Sequence, residues 1–245
     1  MNAASGAGRP PVPRPTACAN CPARGDALCA SLADHELHDL EAIRAGERRV
    51  AAGEAIFRQG EPCNSIYTIR SGWAFLQTLL PDGKRQIDAF CVRGAILGLP
   101  FDVNAPMQFG AQALTDVTLC VLPVAAAVRL TERVPHLALA WARSAAAGQE
   151  CAFRHLADIG RRDARQRLAN LLLELNGMAA RAAPQGRGDL PVNHQDLADA
   201  LGLTPVHISR VLKAWRENAI VAVGHGHLRI LDAGRLKADA AADAP

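Results

Sequence analysis

The sequence predicts an α+β protein with three parts: an antiparallel β-roll, a long helix, and a small domain of helices with one β-hairpin. Between residues 48 and 123, short apolar runs are separated by turn residues at roughly ten-residue spacing, which is typical of a barrel or jelly roll. From 135 to 160 the only turn signal is Gly148, and apolar residues recur near heptad spacing. Residues 193–230 contain two short helical patterns followed by two apolar runs around glycines.

Six strands are expected in the roll, at residues 55–58, 65–70, 73–80, 86–91, 108–114 and 117–122. Before them, apolar residues at helical spacing follow Asp34, a potential capping residue, and predict a short amphipathic helix at 34–45. After the long helix, leucines on one side of 161–176 predict a second helix. Residues 177–188, rich in Ala, Gly and Arg, predict a loop.

The long helix is the predicted dimerisation element. At about 1.5 Å per residue it would extend ~37 Å, which is more than one small domain needs. Its alanines leave room for a second backbone to approach closely and favour a symmetric helix-to-helix dimer. The alternative is that the helix packs along its own roll.

Composition and charge indicate a protein with a polyanionic partner and without a membrane segment. The 245 residues carry a formal net charge of +3, and the surplus lies near the C-terminus, because residues 1–160 contain 15 basic and 15 acidic side chains whereas 161–237 contain 12 and 7. A basic C-terminal region suits a polyanionic partner. No apolar stretch has the pattern of a signal peptide or a membrane span, so we expect no membrane contact and a cytoplasmic location.

Residues 193–205 predict the first helix and the turn of a helix-turn-helix. Gly202 supplies a sharp exit from the first helix. Thr204 is placed to cap a second helix whose first residue, Pro205, lacks only an N–H that would be unpaired there. The apolar runs at 220–223 and 227–230 then predict a hairpin, which is the wing of a winged helix.

The second helix has one apolar and one polar side. Ile208, Val211, Leu212 and Trp215 are expected to pack inward. On the other side, Arg210 can bond both N7 and O6 of a guanine in the major groove. Ser209 can contact a base edge or a phosphate, and Lys213 and Arg216 suit phosphate oxygens. The predicted DNA-binding residues are Val206, Ser209, Arg210, Lys213 and Arg216.

Seven cysteines are present, and three of them, Cys18, Cys21 and Cys29, lie in one short segment. Thiolates are soft ligands that iron–sulfur clusters and zinc both select, so this segment indicates a metal site that needs a fourth ligand from elsewhere. The isolated Cys63, Cys91 and Cys151 are expected to be small buried hydrophobic residues. An enzyme with a nucleophilic cysteine is a further alternative, but no histidine is recognisably placed beside the three clustered thiols.

Over residues 34–235, the order of β-roll, long helix and winged helix-turn-helix resembles the CRP/FNR family of bacterial transcription regulators. The runs Leu201-Gly202-Leu203-Thr204 and Ile208-Ser209-Arg210 are similar to the FNR branch. The resemblance implies a roll of the cyclic-nucleotide-binding type and a homodimer. It also implies binding to a palindromic double-stranded DNA operator, with RNA polymerase as a further partner. The chain has Val206 where FNR-like proteins usually carry Glu, which puts the usual half-site in doubt.

The cysteine spacing resembles the N-terminus of FNR-like oxygen sensors. In that branch the fourth ligand is a cysteine near the end of the roll, and Cys120, which follows Gln112-Ala113-Leu114, matches its surroundings. The resemblance therefore implies an oxygen-labile [4Fe-4S] cluster, held by Cys18, Cys21, Cys29 and Cys120, whose integrity supports dimerisation and DNA binding. Structural zinc or a thiol redox switch at the same cysteines is the alternative, because ligand identity alone does not separate these chemistries.

Cyclic AMP is not expected as an effector. Family members that bind it hold the phosphate with a Gly-Glu-Leu turn and a later Arg-Ser pair, whereas the corresponding stretches here, 94–100 and 110–114, contain neither Glu nor Arg. A phosphate buried without partners would be costly. The predicted division of the chain is a flexible tail at 1–17, a cysteine segment and β-roll at 18–134, a dimerisation helix at 135–160, a winged helix-turn-helix domain at 161–237 and a flexible tail at 238–245.

Overall fold

The computed structural model describes residues 16–99, 105–182, 188–224 and 226–241. The predicted tail at 1–17 lies outside this range except for its last two residues. The strands are β1 (Gly46–Val50), β2 (Ala55–Phe57), β3 (Ser65–Ser71), β4 (Ala74–Leu79), β5 (Arg85–Cys91), β6 (Ile96–Leu97), β7 (Gly110–Ala113), β8 (Val117–Pro123), β9 (Val221–Gly224) and β10 (His227–Ile230).

The helices connect and flank these strands, and a 3-10 turn at Cys18–Asn20 precedes them. No helix in the described ranges is long and apolar enough to cross a membrane. The helices are α1 (Ala27–Ala30), α2 (Asp34–Ile43), α3 (Val124–Arg133), α4 (Pro135–Arg161), α5 (Ala164–Ala182), α6 (His194–Leu201), α7 (Pro205–Glu217) and α8 (Ala233–Ala241).

The roll is made of two antiparallel four-stranded sheets. One has the strand order β1-β8-β3-β6 and the other β2-β7-β4-β5. Residues from both sheets, including Ile56, Ile69, Leu97 and Leu119, form one buried cluster between them. The predicted α+β architecture with an N-terminal antiparallel roll and a C-terminal helix-turn-helix is therefore confirmed.

Each sheet also has a covered outward face. On the first sheet, Ile66 and Leu122 pack against α2, α3 and the beginning of α4. On the second sheet, Trp73, Phe75 and Phe90 belong to the same core as the leucines of α5 and the apolar residues of α6 and α7. The roll is thus a central layer between the N-terminal helices and the C-terminal domain.

The long helix packs along its own roll only in its first turns. Its first turns lie on the chain's own roll, where Leu137 and Ala140 are buried. Beyond Ala140 none of the residues of this helix is buried, and large apolar side chains there are exposed. The exposed apolar residues of α4 are Leu139, Phe153, Leu156 and Ile159.

Several element boundaries differ from the sequence predictions. Helix α5 continues to Ala182, so the first part of the predicted loop at 177–188 is helical, and 183–187 lie outside the described residues. Strands β1 and β6 and helices α1 and α3 were not predicted. Helix α8 continues to Ala241, which corrects the predicted tail at 238–245 for its first four residues.

Helix α8 is ordered by contacts with the second helix of the helix-turn-helix. The buried indole of Trp215 donates a hydrogen bond of 2.6 Å to the Asp239 carboxylate, which also accepts a bond of 2.6 Å from Arg165. The Arg165 guanidinium lies 5.3 Å from the centre of the Trp215 ring. These contacts fix α7 between α5 and α8.

We expect Asp239→Ala to lower the free energy of unfolding by about 1–3 kcal/mol, because it leaves a buried indole N–H without an acceptor. Asp239→Asn retains an oxygen that can accept this bond and should cost less. Urea denaturation followed by circular dichroism measures both. Equal losses for the two variants would contradict the assigned role of the Trp215–Asp239 bond.

Candidate DNA interface and cysteine centre

The helix-turn-helix is built by local capping contacts. Asn193 accepts hydrogen bonds from the backbone N–H groups of Gln195 and Asp196, at 2.8 and 2.9 Å, and begins α6. Gly202 ends this helix in the left-handed conformation, with φ of 63°, which a residue with a side chain rarely adopts. The Thr204 hydroxyl then accepts from the N–H of His207 at 3.2 Å and caps α7. The predicted turn at Gly202 and the predicted cap at Thr204 are confirmed.

Helix α7 has the two-sided character expected of a DNA-reading helix. Ile208, Leu212 and Trp215 are buried, and Val211 is half-buried. Arg210 forms no hydrogen bond or ion pair within the described part of the chain, so its guanidinium is available to a ligand. All five predicted DNA-binding residues are exposed on the opposite side: Val206, Ser209, Arg210, Lys213 and Arg216.

The wing follows as β9 and β10, paired with His227 opposite Gly224 and Ile230 opposite Val221. His225, at the tip, lies outside the described residues. A cleft of about 110 Å³ between α6, α7 and β9 is lined in part by Ser209 and Arg216. His194 also lines it and was not singled out from the sequence, because only the crossing of the two helices brings its position beside α7.

The structure brings the four predicted metal-binding cysteines together. Cys18 lies in the 3-10 turn, Cys21 follows it directly, Cys29 is in α1 and Cys120 is in β8. Cys29 lies close enough to the other three for the thiolates of Cys18, Cys21 and Cys120 to raise its pKa, and the thiolates of Cys18 and Cys21 also raise the pKa of Cys120. Because side chains alternate along a strand, Val117 and Leu119 face the core of the roll, and Cys120 faces outward to the N-terminal segment.

Burial, and then repulsion from the other three thiolates, raise the pKa of the Cys29 thiol to about 12. Burial also raises the pKa of Cys120, to about 11, although Arg44 opposes this shift. Both thiols are therefore protonated near neutral pH without a cation. A metal centre that binds them must displace these protons and supply compensating positive charge.

Basic side chains surround the thiols. The guanidinium of Arg70, which is 6% exposed, donates a hydrogen bond to Cys21 and forms an ion pair with Glu47. Arg44 bonds the backbone oxygen of Thr16 at 2.8 Å and lowers the pKa of Cys18 against the larger opposing effect of burial. These residues were missed by the sequence analysis because their proximity depends on strand register.

Buried polar atoms beside Cys120 can be compared with the needs of an iron–sulfur cluster. Thr68 lies directly opposite Cys120 in the sheet, and its hydroxyl oxygen is buried without a hydrogen-bond partner among the described residues. The Nε of Arg70, two residues further along the same face, is also without one. An iron–sulfur cluster carries sulfurs that accept hydrogen bonds, so the donors present fit such a group.

The four clustered sulfurs are not as closely spaced as the ligands of a bound zinc ion. In the part of the chain that the structure describes, only Cys151, His155 and Glu174 form a set of three or more ligand atoms that all lie within 4.8 Å of one another. No three of the four clustered sulfurs are that close, whereas tetrahedral zinc holds thiolates about 3.8 Å apart. A zinc ion at these cysteines would therefore require the thiols to move closer together.

The remaining cysteines divide into two kinds. Cys63 and Cys91 are buried, at 6% and 8% exposed, which confirms the prediction of small buried hydrophobic residues. Cys151 contradicts it, because this residue is half-buried and its thiol contacts His155 and Glu174.

Comparisons with known proteins agree with this architecture. The family model of a Crp-like helix-turn-helix domain matches residues 166–239, and that of a cyclic nucleotide-binding domain matches 47–133. The nitrogen fixation regulation protein FixK of Bradyrhizobium diazoefficiens is 35% identical over 231 residues, which cover 92% of this chain and 94% of the relative. This chain belongs to the CRP/FNR family of transcription regulators.

Other members of the CRP/FNR family are also similar. The transcriptional activatory protein AadR of Rhodopseudomonas palustris is 36% identical over 91% of this chain and 92% of its own length. The solved structure of FixK2 from Bradyrhizobium japonicum superposes with a TM-score of 0.71 at 27% identity, covering 81% of this chain and 98% of that chain. The resemblance inferred from the sequence is confirmed at the level of the family, and the chain is a DNA-binding regulator.

We expect Arg210→Ala to weaken binding to a specific operator by about 1–3 kcal/mol, or about 5- to 150-fold, because it removes two hydrogen bonds to one base. Binding to unrelated DNA should change less. Fluorescence anisotropy without air, on an operator obtained by binding-site selection, measures both affinities.

Arg216→Ala is the matched control. Loss of a phosphate contact should weaken binding to specific and unrelated DNA alike, and it should lower the slope of log affinity against log salt concentration by about 1. Equal effects of the Arg210 variant on both DNAs would exclude base reading by Arg210.

Proposed function

We propose that this chain is an oxygen-responsive transcription regulator that binds a [4Fe-4S] cluster through Cys18, Cys21, Cys29 and Cys120 and binds a palindromic operator as a homodimer while the cluster is intact. The observation that carries the proposal is the convergence of four thiols, from the N-terminal segment and from β8, on one covered face of the roll. The bound cluster supplies an oxygen-labile connection between these two parts of the chain.

The N-terminal segment is in contact with the helix proposed to form the dimer. Cys29 and Leu32 pack in one apolar cluster with Leu137, Ala140 and Trp141 of α4. Holding Cys29 near Cys120 therefore fixes the segment that lies against the first turns of α4. Release of the thiols frees the segment and removes part of this support.

The second half of α4 provides the proposed dimer surface. Phe153 and Leu156 are 61% and 67% exposed, and Ile159 is 48% exposed. Several large apolar side chains are seldom left in water along one helix. Pairing of α4 with the same helix of a second copy would bury them. The small residues at 145–147 allow two such helices to approach closely.

A second link joins the cysteine segment to the DNA-binding domain. Arg93 bonds Asp26 at 2.7 Å and also donates to the backbone oxygens of Arg181 and Ala182 at the end of α5, at 2.9 and 3.3 Å. Asp26 in turn lies against Gly94, where a Cβ would be only 2.5 Å from the Asp26 Cβ. The position of the segment is thus coupled to α5.

Loss of the dimer removes half of the contacts with a palindromic operator, so a coupling of a few kcal/mol is sufficient to switch binding. The genes controlled are proposed to belong to anaerobic or microaerobic metabolism, since relatives are named for nitrogen fixation regulation and for fumarate and nitrate reduction. Action through RNA polymerase belongs to the same proposal. Cyclic AMP is not part of it, because 94–99 and 110–114 supply no arginine for a phosphate.

We expect Cys21→Ser and Cys120→Ser each to reduce iron from about four per chain to a small fraction and to weaken operator binding without air at least tenfold, since each removes a cluster ligand. Protein purified under nitrogen is assayed for iron, sulfide and operator affinity, before and after exposure to air.

Cys63→Ala is the control, because Cys63 is a buried thiol away from the other four, and it should retain iron and oxygen sensitivity. Unchanged operator affinity of both serine variants without air would refute the proposal. Stoichiometric zinc in place of iron would instead support the structural zinc alternative.

A further inference from the structure

A second group of metal-ligating side chains lies where the long helix meets the DNA-binding domain. Cys151 and His155 are one turn apart on α4, and Glu174 faces them from α5. The Cys151 Sγ is 3.9 Å from the His155 Nε2 and 3.4 Å from a carboxylate oxygen of Glu174, whose other oxygen is 2.9 Å from the same Nε2.

These distances match the edges of a metal coordination shell. With Zn–S of about 2.3 Å and Zn–N or Zn–O of about 2.0–2.2 Å, a tetrahedral zinc ion holds its ligand atoms roughly 3.4–3.6 Å apart. The Sγ–Nε2 separation is 3.9 Å, and the sulfur and the nitrogen lie 3.4 and 2.9 Å from different oxygens of the Glu174 carboxylate. One ligand atom from each of the three side chains lies within 4.8 Å of the other two, so small side-chain rotations would bring them around one ion.

The arrangement differs from that of a nucleophilic cysteine. In a proton relay, the thiol and the carboxylate contact opposite nitrogens of the histidine ring. Here the Cys151 thiol and the Glu174 carboxylate both approach Nε2, and the thiol also contacts the carboxylate directly. The thiol, the imidazole nitrogen and the carboxylate thus form one compact group of ligands, as a cation requires.

We propose that Cys151, His155 and Glu174 bind one Zn²⁺ ion, which fastens the end of the long helix to the DNA-binding domain. A thiolate, an imidazole and a carboxylate suit a cation of borderline softness, and the two negative charges balance the ion. The histidine and glutamate side chains are 27% and 29% exposed, so an ion can enter from solvent and a water molecule can complete the shell. This site is separate from the four cysteines of the N-terminal segment and does not depend on the proposed cluster.

The test is zinc binding by the full chain, purified without air and titrated with Zn²⁺ alone against a chelating indicator, while iron is measured in the same samples. The wild type is expected to bind about one Zn²⁺ per chain with its iron unchanged. Cys151→Ala and His155→Ala should each weaken zinc binding at least about tenfold, since losing a ligand costs no less than losing a residue that supports one.

Glu174→Gln keeps the shape of the side chain and removes the anionic ligand, so it provides a readout if the alanine variants fold poorly. Cys63→Ala is the matched control and should bind zinc as the wild type does. A thiolate-to-metal absorption band with Co²⁺ should be present in the wild type and absent from Cys151→Ala.

Zinc binding that persists in Cys151→Ala but is lost in Cys21→Ser would overturn the proposal, because the ion would then occupy the N-terminal cysteines. Failure of the wild type to bind zinc would do the same. The iron content measured in the same samples tests the proposed cluster, so failure of one proposal can be distinguished from failure of the other.

Discussion

Both outward faces of the β-roll carry apolar residues that must be covered. The elements that cover them hold the cysteine centre on one sheet and the DNA-binding domain on the other. The second sheet presents Trp73, Phe75 and Phe90, which are buried only because the C-terminal domain covers them. On the first sheet, Cys120, Thr68 and other polar residues of β1, β8 and β3 are covered by the N-terminal cysteine segment. The roll therefore lies between a sulfur-rich site and a DNA-reading helix.

Charged contacts fix the orientation of these layers, and two arginines near the ends of β5 make the most extensive ones. Arg85 lies 5.0 Å from the ring of Phe75 and bonds the carboxylates of Asp196 and Asp199 in α6, at 3.0 and 2.6 Å. At the other end of the strand, Arg93 joins the cysteine segment to α5. Partly buried ion pairs of this kind add little net stability and chiefly select one packing arrangement.

Asp196 shows how one side chain serves local and tertiary structure together. It completes the capping box of α6 with Asn193 and also binds Arg85 of the roll. The start of the helix-turn-helix is thus attached directly to the sensor sheet. A change in the position of β5 therefore acts on α6 without an intervening flexible segment.

The long helix carries a different chemistry at each end. Near its beginning, Leu137 and Ala140 support the segment that contains Cys29, and its middle presents small and apolar residues to solvent. Near its end, Cys151 and His155 meet Glu174 of α5. Four thiols suit an iron–sulfur centre, whereas the mixed set suits a single borderline cation.

The sequence by itself determined the features that arise from neighbouring residues. Asn193, Gly202 and Thr204 act through backbone groups within three or four positions, so the helix-turn-helix and the polar side of its second helix could be predicted with its DNA-binding candidates. Strand positions in the roll followed from alternation and turn residues. The pairing of Cys120 with the N-terminal cysteines was available only from family resemblance, because nothing local to β8 indicates it.

Only the tertiary structure decided the features that depend on register and packing. Strand β1 lacks an alternating apolar pattern and is held by its hydrogen bonds to β8, and α8 is fixed by the contact of Asp239 with Trp215. In the sequence, Cys151 and His155 have the spacing of any two residues one helical turn apart. They form a candidate metal site only because the packing of α5 places Glu174 beside them. Side chains far apart in the sequence become one site only when packing fixes the distance between their elements, and no local pattern encodes that distance.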